Sequence, residues 1–277
     1  MLNINTNYAA AFAANAAKKT SSSLDTAVER LSSGSRINYA RDDAAGLAIA
    51  TRLQAEVQSI SVAARNAADA QSMLDTADGA LGETHNILLR MRELAVQSAN
   101  DTVRDQDRDM LQTEVAQLEA EIQRISDDTT WSGMTLLAGG FSTGATFQIG
   151  PRDTDTIQIS ISAIDATTLY DDGGLSLRSH ISTQAAAQDY IATIDNAISI
   201  ISADRAKYGA TMNRLDHAMA NMANIVTNLS TAKGRIMDAD FAAESANLAR
   251  TQVLQQASMA MLSQANASKQ NILALFN

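Results

Sequence analysis

Apolar residues recur along most of this chain at alternating steps of three and four, the spacing that gathers side chains on one side of an α-helix. The first long row is Ala50, Leu53, Val57, Ile60, Ala64, Ala67, Gln71, Leu74, Asp78, Leu81, His85 and Leu88. It reads as a heptad seam, imperfect at Gln71, Asp78 and His85, and predicts a helix over 41–99. At about 1.5 Å per residue that helix spans on the order of 90 Å, far more than the width of a compact domain. Asp42 and Asp43 fall in its first turn, where the helix dipole favours them, and Gly79 and Gly82 weaken it locally. A shorter helix over 104–126 carries the seam Leu111, Val115, Leu118, Ile122 and Ile125. The most regular row comes last: Ile194, Ile198, Ile201, Arg205, Tyr208, Met212, Leu215, Met219, Met222, Val226, Leu229, Lys233 and Ile236. Only Arg205 and Lys233 interrupt it. This helix starts near Thr183 and breaks at Gly234. Each aliphatic side chain fully buried along such seams contributes about 1.5–3 kcal/mol.

Between 127 and 182 the pattern changes. Gly and Thr become frequent, and 146–149 and 156–161 alternate with period two, which predicts short strands punctuated by Gly150 and Pro151. Seven of the 13 glycines lie between Gly133 and Gly174, and Pro151 is the one proline. The chain breakers therefore cluster mid-sequence.

The two ends share a third pattern. Residues 1–17 carry no charged side chain. Tyr8 and Phe12 are four apart on one helical face. The row continues through Leu24, Val28 and Leu31 and stops at the Ser-Ser-Gly-Ser run of 32–35, giving a helix of about 28 residues. The stretch 241–276 has no Gly, no Pro and only Glu244, Arg250 and Lys269 charged. A solvated helix normally keeps a charged outer face; this one offers Ala, Ser, Asn and Gln. The two ends are expected to pair and to lie buried among other helices, those of other copies included.

The fold class that follows is mainly α: an elongated antiparallel helical bundle or coiled coil with a small β-hairpin region in the middle of the sequence. Residues 1–40 and 236–277 form the terminal helices, 41–130 and 183–235 a helical rod, and 131–182 its β-hairpin region.

Composition sharpens this. Hydrophobic residues make up 45% of the 277 but aromatics only 4%, which favours narrow helix–helix seams over a thick core. A formal charge of −10 argues against nucleic acid or an anionic membrane surface as partner. With no cysteine, disulfides and thiolate metal sites are excluded. No run of about 18 apolar residues is present, so no membrane insertion is expected. The N-terminus has its first basic residue at Lys18 and lacks the basic start of a cleavable signal peptide.

Candidate chemistry is sparse. His85, His180 and His217 have no ligand spacing around them and read as structural. Asp42-Asp43, Asp127-Asp128 and Asp171-Asp172 read as turn or first-turn residues rather than as acid/base pairs. Gly139-Gly140 is followed by no phosphate-loop Lys-Ser/Thr. The Met212, Met219 and Met222 stripe reads as core filling. No nucleophile elbow is present. No catalytic, metal or cofactor site is expected.

Several longer motifs carry a resemblance. LSSGSRIN (31–38) followed by DDAAGLAI (42–49), RMRELAVQSAN (90–100), the run 108–125 and WSGMTLL (131–137) closely resemble the N-terminal part of bacterial flagellins. GATMNRL (209–215), RIMDAD (235–240), QVLQQA (252–257) and LSQAN (262–266) resemble their C-terminal part. The resemblance covers about 1–140 and 185–277. It implies a self-assembling subunit of the flagellar filament, used in swimming motility, with terminal segments that line the tube as coaxial helices and are disordered in the free subunit. On that basis the polymerisation residues are Tyr8, Phe12, Leu24, Leu31, Phe241, Leu248, Leu254, Leu262, Leu273 and Phe276.

It further implies type III export, an extracellular location without a cleaved signal, and a flagellar export chaperone, hook-associated proteins and cap proteins as partners beside the chain itself. Only about 55 residues separate the two halves, so a minimal form without outer variable domains is implied. Family members are sensed by a host Toll-like receptor; the matching positions are Arg90, Leu94 and Glu114, while Leu89 departs from the Gln of strongly stimulatory members. Ser142, Thr143, Thr154, Thr167 and Thr168 read as ordinary turn residues, although the resemblance also allows O-linked sugars there, as in some flagellins. A hook–filament junction protein, with similar ends, is the alternative.

Overall fold

The computed structural model describes residues 6–164 and 181–274. Among them are the helices α1 (Tyr8–Ser33), α2 (Ala44–Ser98), α3 (Asp105–Asp128), α4 (Gln184–Met237) and α5 (Phe241–Ala274). Between α3 and α4 lie four short strands, β1 (Thr130–Trp131), β2 (Met134–Thr135), β3 (Ala145–Gln148) and β4 (Thr156–Ile159). The fold is mainly α with a small antiparallel β region, as the pattern predicts. The chain forms two compact units: Met1–Val57 with Thr227–Asn277, and Gln58–Val226. The division falls within α2 and α4, so these two helices contribute to both. His180, Asp171, Asp172, Thr167 and Thr168 lie outside the described residues.

In the second unit the buried row of α2 is Ile60, Ala63, Ala67, Ala70, Leu74, Ala77, Leu81, Thr84, Leu88, Met91, Ala95 and Ser98. The steps alternate three and four without a miss. The expected seam shared Ile60, Ala67, Leu74, Leu81 and Leu88 but took the intervening residue one position too late, at Ala64, Gln71, Asp78 and His85. The structure corrects this: Ala63, Ala70, Ala77 and Thr84 are the buried partners. Small residues there let helix backbones approach closely, and the polar residues sit at the rim. The same one-residue correction applies to α4. Ala187, Tyr190, Ile194, Ala197, Ile201, Asp204 and Tyr208 are buried, whereas Ile198, Arg205 and Met212 are only half-buried. The rim residues pair instead. Arg205 Nε donates to Asp78 Oδ1 at 2.8 Å, and Arg92 Nε to Asp195 Oδ1 at 2.6 Å, which fixes α2 and α4 antiparallel here. Gly79 and Gly82 do not interrupt α2.

Arg108 ties α3 to the end of α2. Its buried guanidinium donates to the main-chain carbonyls of Ser98 (2.9 Å) and Asn100 (3.1 Å) and to Asp105 (2.9 Å). The last turn of α2 has no basic residue of its own, so α3 supplies the cation that its orphan carbonyls need. Val115 and Ile122 bury the inner face of α3. Tyr190 on α4 donates to Glu119 at 2.9 Å.

The β region covers this core. β1 and β2 pair antiparallel across Ser132 and Gly133, both at positive φ (51° and 81°), the two-residue turn whose twist matches a hairpin. β3 and β4 pair with Ala145 opposite Ile159 and Gln148 opposite Thr156. Ile157, Ile159, Ile161 and Ile164 point inward and are buried. Gln148 Nε2 donates to the carbonyls of Gly150 (2.8 Å) and Arg152, closing the connection.

In the first unit α1 and α5 run antiparallel. The α1–α2 and α4–α5 connections are clasped by two main-chain bonds: Arg36 N–H to the Met237 carbonyl at 2.6 Å, and Ala239 N–H to the Gly34 carbonyl at 2.9 Å. Gly34 has φ 69° and ends α1 in the left-handed conformation, the geometry that favours Gly at this position. The clasp explains why α4 runs past Gly234 to Met237 rather than breaking at the glycine. The chain turns at Asp238, and Asp240 then caps α5 by accepting from Ala242 (2.9 Å) and Ala243 (3.2 Å). Asp42 and Asp43 precede α2 instead of occupying its first turn. Asp42 Oδ2 accepts from the N–H groups of Asn38 and Tyr39 at 3.1 and 3.0 Å. Asp43 Oδ1 accepts from Gly46 at 2.8 Å as the N-cap.

Candidate assembly surface on the terminal helices

The α1–α5 pair is built unlike an ordinary soluble helix pair. The inward row of α1 is Ala13, Ala17, Thr20, Leu24, Ala27 and Leu31. That of α5 is Glu244, Leu248, Thr251, Gln255, Ser258, Leu262 and Ala265. Both step by three and four, and both are rich in small and polar residues. Leu24, Leu31, Leu248 and Leu262 are the large apolar side chains in the seam; the others described on this pair are exposed. Tyr8 is 73% exposed, Phe12 77%, Phe241 71%, Val253 66%, Leu254 49%, Met259 58% and Met261 65%.

Polar contacts hold the pair in register. Asn7 caps α1 by accepting from Ala10 N–H at 3.0 Å, and its Nδ2 donates to the Ala265 carbonyl at 3.1 Å. Toward the other end Arg30 and Glu244 form an ion pair at 3.8 Å. Beside the seam runs an apolar groove of about 400 Å³, walled on α1 by Phe12, Ala13 and Ala16 and on α5 by Leu254, Ala257 and Met261. Burying a large apolar side chain contributes about 1.5–3 kcal/mol, so a lone pair of helices leaves most of this stabilisation unrealised.

The expected polymerisation residues therefore divide. Tyr8, Phe12, Phe241 and Leu254 face outward. Leu24, Leu31, Leu248 and Leu262 are half-buried in the α1–α5 seam itself. Leu273 lies at the end of α5, and Phe276 lies outside the described residues. The groove's alanines were not singled out by sequence reasoning; Ala9, Ala13 and Ala16, at steps of four and three, were the available signal. Met259 was also missed.

The remaining expected sites lie in the second unit. Arg90 donates to Glu114 Oε1 from Nε (3.0 Å) and Nη2 (2.8 Å) and to Glu93 at 3.0 Å. Those carboxylates hold its guanidinium above the usual arginine range. Both partners are exposed, but Leu94 is 1% exposed and packs in the core instead of presenting a surface. Ser142, Thr143 and Thr154 are exposed turn residues; the Ser142 hydroxyl donates to Gly139 within its turn at 2.9 Å. His217 is exposed and His85 half-buried. Among the described residues no group of three His, Asp or Glu is placed to hold a metal. No described helix is long and apolar enough to cross a membrane.

Comparison with known proteins places the chain. The family model for the bacterial flagellin N-terminal helical region matches residues 4–142, and that for the C-terminal helical region matches 191–276. A flagellin of Halalkalibacterium halodurans is 41% identical over 249 residues, covering 90% of each chain. One from Bacillus subtilis is 36% identical and covers 99% of each. The crystal structure of Bacillus cereus flagellin, 37% identical, covers 61% of this chain and 94% of its own, with a TM-score of 0.50. A putative flagellar hook-associated protein from Vibrio parahaemolyticus, 18% identical with a TM-score of 0.63, shares the fold.

The class is thus a self-assembling structural protein, not an enzyme. The chain belongs to the bacterial flagellins and is a subunit of the extracellular flagellar filament. The hook–filament junction alternative is not favoured, since relatives matching nearly the full length at 35–41% identity are flagellins.

Proposed function

We propose that the exposed apolar residues of the α1–α5 pair, Tyr8, Phe12, Phe241 and Leu254 among them, are the surface through which copies of this chain pack together in the filament. One observation supports this above the rest: apart from four leucines the seam is made of small and polar residues, while both aromatic residues of α1, the Phe241 ring and both methionines of α5 stay exposed. Leu24, Leu31, Leu248 and Leu262 then serve assembly indirectly, by holding the pair in register. An apolar surface of this size needs cover before assembly. This fits an export chaperone on α5 in the free subunit, and hook-associated and cap proteins that meet the same helices at the filament's two ends.

Leu254→Asp tests the reading, because it places a charge where a neighbouring subunit must exclude water. Purified variant is mixed with short filament fragments, and elongation is followed by pelleting and electron microscopy. The variant is expected to stay in the supernatant while keeping the wild-type helical circular dichroism. Normal filaments from Leu254→Asp would falsify the assignment.

A further inference from the structure

The chain has eleven methionines and no cysteine, so thioethers are its main sites for two-electron oxidation by a peroxide. The fold sorts them. Met73, Met91 and Met222 are buried, whereas Met110, Met134, Met259 and Met261 are exposed. Of the exposed four, Met261 is the one that lines the α1–α5 groove, beside Phe12, Leu254 and Ala257. Leu254 and Met261 are two helical turns apart and share one side of α5. Met259 points roughly 200° away around the same helix.

We propose that Met261 is an oxidation-sensitive site that controls assembly, with hydrogen peroxide as the oxidant. A lone pair on the Met261 sulfur takes one peroxide oxygen as the O–O bond breaks. The sulfur is oxidised to the sulfoxide, and the other oxygen leaves with both protons as water. The product is a strong, polar hydrogen-bond acceptor in a groove that is mostly apolar, with Ser258, Gln264 and Ser268 as its polar members. A neighbouring subunit that covers the groove must then bury a bulkier, polar side chain against apolar residues, which is unfavourable. The α1–α5 pair itself is untouched, because Met261 is outside its seam. The modification is reversible by methionine sulfoxide reductases. Once a neighbour covers the groove, Met261 is shielded, so the free subunit is the vulnerable form. This inference rests on the assembly surface proposed above.

The test exposes purified subunit to graded hydrogen peroxide, maps each methionine by peptide mass spectrometry and measures seeded elongation. Loss of elongation should track Met261 sulfoxide, with Met222 still a thioether and helical circular dichroism unchanged. Methionine sulfoxide reductase with dithiothreitol should restore growth. Met261→Leu and Met261→Ile, each scored against its own untreated elongation, should lose none of it after the same exposure. Met259→Leu and Met110→Leu should remain sensitive. Normal elongation by subunit fully oxidised at Met261, or protection by Met259→Leu instead of Met261→Leu, overturns the proposal. Leu254→Asp assayed alongside separates the two readings. If it fails to elongate while the oxidised wild type grows, only the methionine inference falls; if both grow, the assembly surface falls.

Discussion

The Nε of Arg108, in the first turn of α3, donates to the main-chain carbonyl of Ser98, the last residue of α2, at 2.9 Å. One buried side chain thus ends the preceding helix and fixes the angle at which the next one leaves. Arg108→Ala leaves the Ser98 and Asn100 carbonyls without this donor, and it should cost about 2–3 kcal/mol. Arg108→Lys should recover only part of that, since an ammonium does not reproduce a planar fork with several donors. Urea unfolding followed by circular dichroism measures both.

Gly46 sits where the Asp43 cap and Ile37 converge. A Cβ there would lie 2.4 Å from Asp43 Oδ2 and 2.8 Å from Ile37 Cδ1. Gly46→Ala, normally favourable inside a helix, should instead destabilise the first unit by about 1–3 kcal/mol through lost capping and overpacking. The expected readout is faster amide exchange at residues 44–47 together with a lower unfolding midpoint.

Ile201 is fully buried on α4. Ile201→Asp puts a charge into the seam and should cost more than about 4 kcal/mol. Helical signal should be lost at low protein concentration, in contrast to Leu254→Asp, which should keep it.

Asp204 is the reverse case. Its Oδ1 accepts from Lys207 at 2.8 Å, but its Oδ2 is buried without a partner, as is the Tyr208 hydroxyl one turn on. Burial, and after it the Asp204 carboxylate, push the Tyr208 phenol well above its ordinary range. Replacing such a half-satisfied buried ion with an apolar residue of similar volume is often stabilising, by about 1–4 kcal/mol. Asp204→Leu should raise the thermal midpoint; a fall would show that Asp204 is better satisfied in solution than its contacts indicate.

Asp42 predicts an acid-sensitive turn. The N–H groups of Tyr39 and Asn38 hold its carboxyl below the ordinary carboxylate range, with Arg41 and Arg30 helping and desolvation opposing. A carboxyl depressed in the folded state stabilises the fold above its unfolded pKa, and that contribution disappears as pH falls through the folded value, in a window below about pH 4. The Asn38 and Tyr39 amide resonances should titrate together in that window, and Asp42→Asn should abolish the transition.

The elements were legible in the sequence because long rows of period 3.5 are hard to mistake. The phase of those rows was not. Gln71, Asp78 and His85 looked like flaws only because a four-residue step was taken where the helix uses three. Alanine carries too little hydrophobic signal for Ala197 to compete with the neighbouring Ile198, although its small size is what admits the facing helix. The outward face of the terminal pair was legible as a shortage of charge. The inward face was legible only at Leu24, Leu31, Leu248 and Leu262, since Thr20, Gln255 and Ser258 between them give no apolar signal. The Arg108 cap was invisible because its partners are main-chain carbonyls.

The clasp between Gly34 and Ala239 carries a temporal consequence. Asn7 bonds to a residue 258 positions further along the chain, so α1 is made first and paired last. Closing so large a loop gives no local reward along the way. During synthesis the leading helix has no mate until the trailing one arrives. Refolding of the first unit should therefore be the slow, length-limited step, and a chain cut short anywhere before α5 leaves its own beginning unfolded.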